Sequence, residues 1–257
     1  MARVIVVTSG KGGVGKSSTC VNIGSNLANN GYKVCLIDAD LGLKNLDVIL
    51  GIESRVVFDI QDVIKGVCSL KQALVRDKRV NNLYLLPACK SIDVTKISFS
   101  YLEKIIVDLK KEFDFILIDS PAGIERGFYN AIRNANEAIV VVNNDIASIR
   151  DADKVIGILN THGILDTKLV INKVSLKKIE KDVSITMSDV IDILGIPLLG
   201  IVYEDEEIVK SNNKGMPLIL NNKSLINKCY LNISRRLNGE DIKLAKGKKS
   251  FIEKIFS

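Results

Sequence analysis

The 257-residue sequence has no tryptophan, a single histidine (His162), four prolines and few aromatic residues, 5% in all. Its core must therefore be aliphatic, and the Ile, Val and Leu runs are where to look for it. No apolar run reaches the ~18 residues that a membrane-crossing helix needs. Five cysteines (Cys20, Cys35, Cys68, Cys89 and Cys229) are scattered, odd in number and never spaced C-x-x-C. That spacing argues against a disulfide framework, a zinc site and a c-type haem, and fits buried reduced thiols in a cytosol-like compartment. Met1-Ala2-Arg3 runs into a short strand-like segment, with neither a secretory nor a transit signal. His162 precedes Gly163 and reads as a helix C-terminal cap, so no Ser–His–Asp set is expected.

What is present is ordinary globular usage, 47% hydrophobic and 26% charged. Short β-branched runs recur at Val4–Val7, Val34–Ile37, Leu83–Leu86, Phe115–Ile118, Ala138–Val142, Leu169–Ile171 and Leu199–Val202. Near-continuous apolar runs of this length read as strands buried on both faces. Helical patterns fall between most of them, at Ser17–Asn29, Tyr101–Phe113, Ser148–His162, Ile185–Leu194 and Lys223–Leu237. Steady alternation implies an α/β fold, a mostly parallel sheet flanked by helices. One domain is expected over residues 1–237, a polar hinge over 238–249 and a short tail over 250–257.

Strand Val4–Val7 leads into Gly10-Lys11-Gly12-Gly13-Val14-Gly15-Lys16-Ser17, which fits G-x-x-x-x-G-K-[ST] between a strand and a helix. The glycines let backbone N–H groups converge on phosphate oxygens, at the positive end of a helix. Lys16 supplies charge to the β and γ phosphates, and Ser17 offers a hydroxyl to Mg2+. Gly10, Gly12 and Gly15 also match the dinucleotide fingerprint, with Asp38 where a ribose-binding acid would stand. Lys16-Ser17 and a second acid favour a nucleoside triphosphate: Asp119 closes an apolar strand, where a carboxylate holds Mg2+ through water. Asp38 and Asp40, two apart on extended chain, face the same side. Asp38 is expected to steady the water shell of Mg2+ and Asp40 to orient the attacking water. Asn172-Lys173-Val174-Ser175 begins like the guanine-binding N-K-x-D but ends in Ser, so Asn172 is read as an adenine contact and ATP is favoured over GTP. The ATP-binding set read from these motifs is thus Gly12, Gly13, Val14, Gly15, Lys16, Ser17, Ser18 and Asn172, to which the resemblance below adds Lys11.

These motifs resemble the deviant Walker A ATPases, the MinD/ParA family, and within it the branch that places the division septum. The resemblance covers nearly the whole chain. It is carried by Lys11-Gly12-Gly13-Val14-Gly15-Lys16, Gly42-Leu43-Lys44-Asn45-Leu46-Asp47, Gln72–Arg79, Leu85-Leu86-Pro87-Ala88 and Asp119–Glu125. It implies that Lys11 reaches the phosphates of a partner subunit in an ATP-bound homodimer. It also implies that Asn45, Asp145, Arg150, Asp151 and Asp153 belong to a dimer and partner surface, where a MinC-like inhibitor and a MinE-like or other topological factor dock. Two departures stand out: Ser17-Ser18 for the commoner Thr pair, and Tyr203 where the family usually has Pro before Glu-Asp.

The net charge is +6, but its placement matters more. From Lys243 onward there are five lysines against one acid, Glu253. At helical spacing Phe251, Ile252, Ile255 and Phe256 share an arc of about 140°, flanked by Lys248, Lys249 and Lys254. This reads as an amphipathic helix lying in the plane of an anionic membrane. One such tail binds weakly, and two on a dimer gain avidity. The expected location is cytoplasmic and peripheral on the inner membrane face, or plastid stroma and envelope. Nucleic acid is not an expected partner. The rival readings are a ParA-like DNA-segregation ATPase, a flagellar-number regulator of the same family and a metabolic P-loop enzyme.

Overall fold

Every expected apolar run forms a strand. The computed structural model describes residues 2–40, 45–89, 99–180, 185–221 and 224–245. Among these the strands are β1 (Arg3–Thr8), β2 (Val34–Asp38), β3 (Val75–Arg76), β4 (Leu83–Leu86), β5 (Phe115–Asp119), β6 (Glu137–Asn143), β7 (Asp166–Val174) and β8 (Leu198–Tyr203). The helices are α1 (Lys16–Asn29), α2 (Leu46–Leu50), α3 (Ile60–Ile64), α4 (Leu70–Ala73), α5 (Phe99–Leu109), α6 (Arg126–Ile132), α7 (Ile146–Thr161), α8 (Leu176–Glu180), α9 (Met187–Leu194), α10 (Glu206–Asn213) and α11 (Leu225–Leu237). No helix among the described residues is long and apolar enough to cross a membrane.

The strands form one sheet in the order β3-β4-β2-β5-β1-β6-β7-β8. All neighbours are parallel except the short β3, which pairs antiparallel with β4 at one edge. β2 and β5 are buried at every position, because helices cover both faces of the sheet. In such a sheet the carboxyl ends of the parallel strands share one edge, and ligands gather where the chain reverses its winding. Here that point lies at the adjacent strands β5 and β1: the chain runs from β1 outward to β2 and β4, returns to β5, and then crosses β1 to β6.

Helix ends follow from local chemistry. Asp145 caps α7, its carboxylate accepting the Ser148 N–H at 2.9 Å, while the Ser148 hydroxyl accepts the Asn143 N–H at 3.0 Å. This cap starts α7 two residues earlier than its apolar pattern suggests. At the other end His162 is the C-cap, with Nδ1 2.9 Å from the Ile158 carbonyl, as expected.

The hinge expected over 238–249 is fastened to the body as far as Ala245. Arg236 donates to the Ile242 carbonyl at 2.7 Å, Asn232 to that of Lys243 at 2.9 Å and the Tyr203 hydroxyl to that of Ala245 at 3.2 Å. The chain therefore turns back after α11 and climbs beside it to the carboxyl end of β8. The expected membrane residues Lys248, Lys249, Phe251, Ile252, Ile255 and Phe256 lie outside the described residues, as do Gly42, Leu43 and Lys44.

α11 rests on β8 at Gly200, where a side chain would collide with Cγ1 of Ile233. Ile233 is buried and β-branched, so it has no other rotamer to retreat to. Gly200→Val should destabilise the fold by about 1–3 kcal/mol through overpacking. Denaturant unfolding checks this; an unchanged midpoint would mean that α11 slides freely on the sheet.

Candidate functional site

Sheet register assembles the charged cluster. In β5, Asp119 is paired with Val7 of β1 on one side and with Asp38 of β2 on the other. The loop leaving β1 passes over this point and enters α1. Gly15 precedes α1 in the left-handed region, at φ 96°, with the Asn172 amide packed where a Cβ would stand. A residue other than glycine there would be strained and would displace Asn172.

Asp119 is fully buried, and neither carboxylate oxygen has a hydrogen-bond partner that meets ordinary geometry. The Ser17 hydroxyl lies close enough to favour the charged form without closing a well-formed bond. Burial pushes the Asp119 carboxyl up to about 7, with Ser17 and Lys16 opposing and Asp38 and Asp40 adding to the rise. Asp38 is raised to about 6, chiefly by burial, although its carboxylate accepts the N–H groups of Asp40, Asn45 and Leu46, each at 3.2 Å. Asp40 is also raised by burial, and Lys16 counters it. Lys16 is itself only 8% exposed, and burial lowers its pKa against the pull of Asp119 and Asp40. An ammonium and three carboxylates thus share a poorly solvated space, with an orphaned carboxylate at its floor. That donor set suits a hard cation bridged to phosphate through its own water.

Above the floor is a cavity of about 600 Å³. The loop residues Gly12, Gly13, Gly15, Lys16, Ser17 and Ser18 line its base, with Asp40 and Ala122 nearby. Asn45 and Ile49 of the α2 segment form one wall, and Ile208, Val209 and Asn212 of α10 form another. Asn172, Lys173, Glu204 and Asp205 complete the rim. The volume matches a small-molecule site with apolar walls and convergent polar groups at its base.

Residues 5–218 match the model of the CobQ/CobB/MinD/ParA nucleotide binding domain. A septum site-determining protein MinD of Synechocystis is 46% identical over 243 residues, 94% of this chain and 91% of that protein. The chain belongs to the MinD family. Among solved structures, the MinC:MinD cell division complex of Aquifex aeolicus superposes with a TM-score of 0.90 at 43% identity, covering 95% of this chain and 99% of that one. MinD of Pyrococcus horikoshii, complexed with Mg-ADP, gives 0.84 at 29% identity, covering 93% and 96%.

Against the MinD pattern the structure distributes the expected residues as follows. Gly12, Gly13, Gly15, Lys16, Ser17, Ser18, Asp40 and Asn172 meet at the cavity, with Asp38 and Asp119 beneath. Val14 is buried, and its carbonyl accepts the Asn172 Nδ2–H at 2.7 Å. That donation leaves Oδ1 of Asn172 buried and unpartnered. Lys11 is exposed on the loop. Asn45, expected on a partner surface, lines the cavity. Asp145 serves as a helix cap, while Arg150 and Asp153 are exposed along α7 and Asp151 lies 3.6 Å from Lys154. Tyr203 is buried in the core.

Sequence reasoning missed several wall residues. Lys173 donates to the Gly13 carbonyl at 2.7 Å, and Asn212 donates to the Ser18 hydroxyl at 2.7 Å. Lys173 sits in the left-handed region at φ 54°, which no local pattern announces. Asn212 lies 194 residues from its partner.

The raised carboxyls have a measurable consequence. Between about pH 4 and pH 7 the folded chain holds protons on Asp38 and Asp119 that the unfolded chain releases, so ligand-free stability falls as pH rises through that window. Asp119→Asn should raise ligand-free stability at pH 8 by on the order of 1–3 kcal/mol and flatten the decline. Urea unfolding at pH 5 and pH 8 reads both effects; a variant less stable than wild type at pH 8 would show that the buried charge is compensated.

Proposed function

We propose that the chain binds ATP with Mg2+ and hydrolyses it to ADP and phosphate as a slow switch that a partner stimulates, and that this switch places the division septum. The observation that carries the reading is the orphaned Asp119 carboxylate below Lys16 and the Gly-rich loop, on the floor of a nucleotide-sized cavity. The Pyrococcus relative, complexed with Mg-ADP, supports the ligand pair. When bound, Mg2+ supplies charge neutralisation at the phosphates.

The chain's own residues then divide the work. Loop N–H groups and the α1 N-terminus bind phosphate oxygens. Lys16 brings a poorly hydrated ammonium to the same oxygens, where its charge is stronger than in water. Ser17 and Asp119 would hold the cation. Asp38 anchors the turn that carries Asp40, and Asp40 orients the attacking water. Asn172 Oδ1 accepts from the adenine amino group. Lys11, exposed at the mouth, is free to reach a second subunit's phosphates, so that two copies close over two nucleotides.

The paired form would present two amphipathic tails to the inner membrane face or to a plastid envelope, where each alone holds poorly. A MinC-like inhibitor fits the exposed α7 residues Arg150 and Asp153, in keeping with the Aquifex relative's complex with MinC. A MinE-like or other topological factor is the natural stimulator of hydrolysis.

Asp40→Ala should leave ATP bound while slowing hydrolysis about 10²–10⁴-fold, the usual contribution of one positioned base. Phosphate release and light scattering read turnover and the accumulated dimer together. Undiminished turnover would assign the water to another group. Full-length protein should co-sediment with anionic vesicles in ATP and less in ADP, and Phe256→Asp should abolish sedimentation. Equal sedimentation in both nucleotides would refute the membrane switch.

A further inference from the structure

We infer that Arg79 is a positioning residue that fixes the span of the nucleotide cavity by tying its two walls together. The inference rests on the ATPase reading above. One wall is the α2 segment, with Asn45 and Ile49, and the wall that adjoins it is α10, with Ile208, Val209 and Asn212. Both walls end in a left-handed glycine, Gly51 at φ 61° and Gly215 at φ 57°. The two glycines lie back to back, so close that a Cβ on either would overlap the other's backbone. Neither carries a side chain to hold the junction.

Arg79 supplies that hold from a third element, the turn between β3 and β4. Its guanidinium donates through Nη1 to the Gly215 carbonyl at 2.8 Å and through Nη2 to the Leu50 carbonyl, the last residue of α2. The fork is aimed by Asp77, whose Oδ1 accepts from Nε at 3.2 Å and whose Oδ2 accepts from Nη2 at 2.8 Å. Asp77 is 1% exposed and also takes the N–H groups of Arg79 at 2.7 Å and Val80 at 3.2 Å. Its own N–H donates to the Leu83 carbonyl at 2.9 Å, which fastens the turn to the sheet. Burial opposes the charge on Asp77, but the Arg79 hydrogen bonds outweigh it and hold the carboxyl below the usual range. A planar guanidinium reaches two carbonyls and a carboxylate at once, which an ammonium cannot do.

The far end of α2 is already tied to the charged cluster, since Asp38 accepts the N–H groups of Asn45 and Leu46. Without Arg79 the outer ends of the walls separate, while Lys16, Ser17 and Asp119 keep their places on the sheet edge. The interactions lost are those made equally in ground and transition states, so KM should rise with kcat preserved.

The test uses full-length Arg79→Met, Arg79→Lys and Gly215→Ala, the last forcing the junction open with a Cβ while the Arg79 side chain is kept. Leu109→Ala, in the buried core at the end of α5 and outside the cavity lining, serves as a control for lost stability alone. Arg79→Met is expected to raise the Kd for ATP and KM by about tenfold with kcat within about twofold. Arg79→Lys should not rescue it, Gly215→Ala should reproduce it, and Leu109→Ala should lower the melting temperature with KM unmoved. A wild-type KM in Arg79→Met, a fall in kcat without a rise in KM, or the same rise in Leu109→Ala would overturn the inference. Failure of the wild type to bind ATP would overturn the ATPase reading itself.

Discussion

The position of β5 between β1 and β2 is the constraint on which the site depends. Parallel pairing on both sides brings three strand ends to one edge, and register sets Asp119 level with Val7 and Asp38. The loop leaving β1 must then pass directly above a carboxylate buried on all sides. Such a carboxylate is costly in the ligand-free protein, and the raised Asp119 and Asp38 together with the lowered Lys16 are the signs of that cost. A cation bound to phosphate relieves all three strains together. The fold tolerates a destabilised cluster because the surrounding strands are aliphatic and buried throughout, so the expense at one edge is offset across the sheet.

Much of this is legible in the sequence because it rests on local rules. Strand interiors announce themselves as β-branched runs, since a strand covered on both faces has no solvent side to carry polar residues. The loop announces itself through Gly13 and Gly15, which adopt positive φ. Asp38 and Asp119 are legible as acids that close apolar runs. The walls are not. Asn212 and Lys173 act through partners far along the chain, and their value depends on crossings that no periodicity encodes. β3 is two residues long and α2 five, too short for any pattern to register. Asp77 and Arg79 lie in a segment that resembles the family, yet their chemistry emerges when Gly51 and Gly215 are seen to meet.

Asp38 shows how one residue type serves two purposes. A carboxylate after a strand can steady hydrated Mg2+, and it can equally cap the segment that follows. Here its oxygens accept three backbone N–H groups from Asp40, Asn45 and Leu46. The second purpose supports the first, because a turn held by Asp38 keeps Asp40 over Lys16 and starts the α2 wall at a fixed point.

The C-terminal segment extends the same logic to the surface. Sequence composition suggests a hinge after α11, because Gly239 and the lysines beyond Lys243 resemble a solvated linker. Three backbone carbonyls, of Ile242, Lys243 and Ala245, are nonetheless held by Arg236, Asn232 and Tyr203. Tyr203 makes the last of these contacts through its hydroxyl. It closes β8, and the next two residues, Glu204 and Asp205, line the cavity. The root of the tail is therefore fastened to the residue immediately before the cavity rim, not at the distant end of the sheet where α11 finishes. In this chain, placement of the tail's origin follows from the side chain that ends the eighth strand.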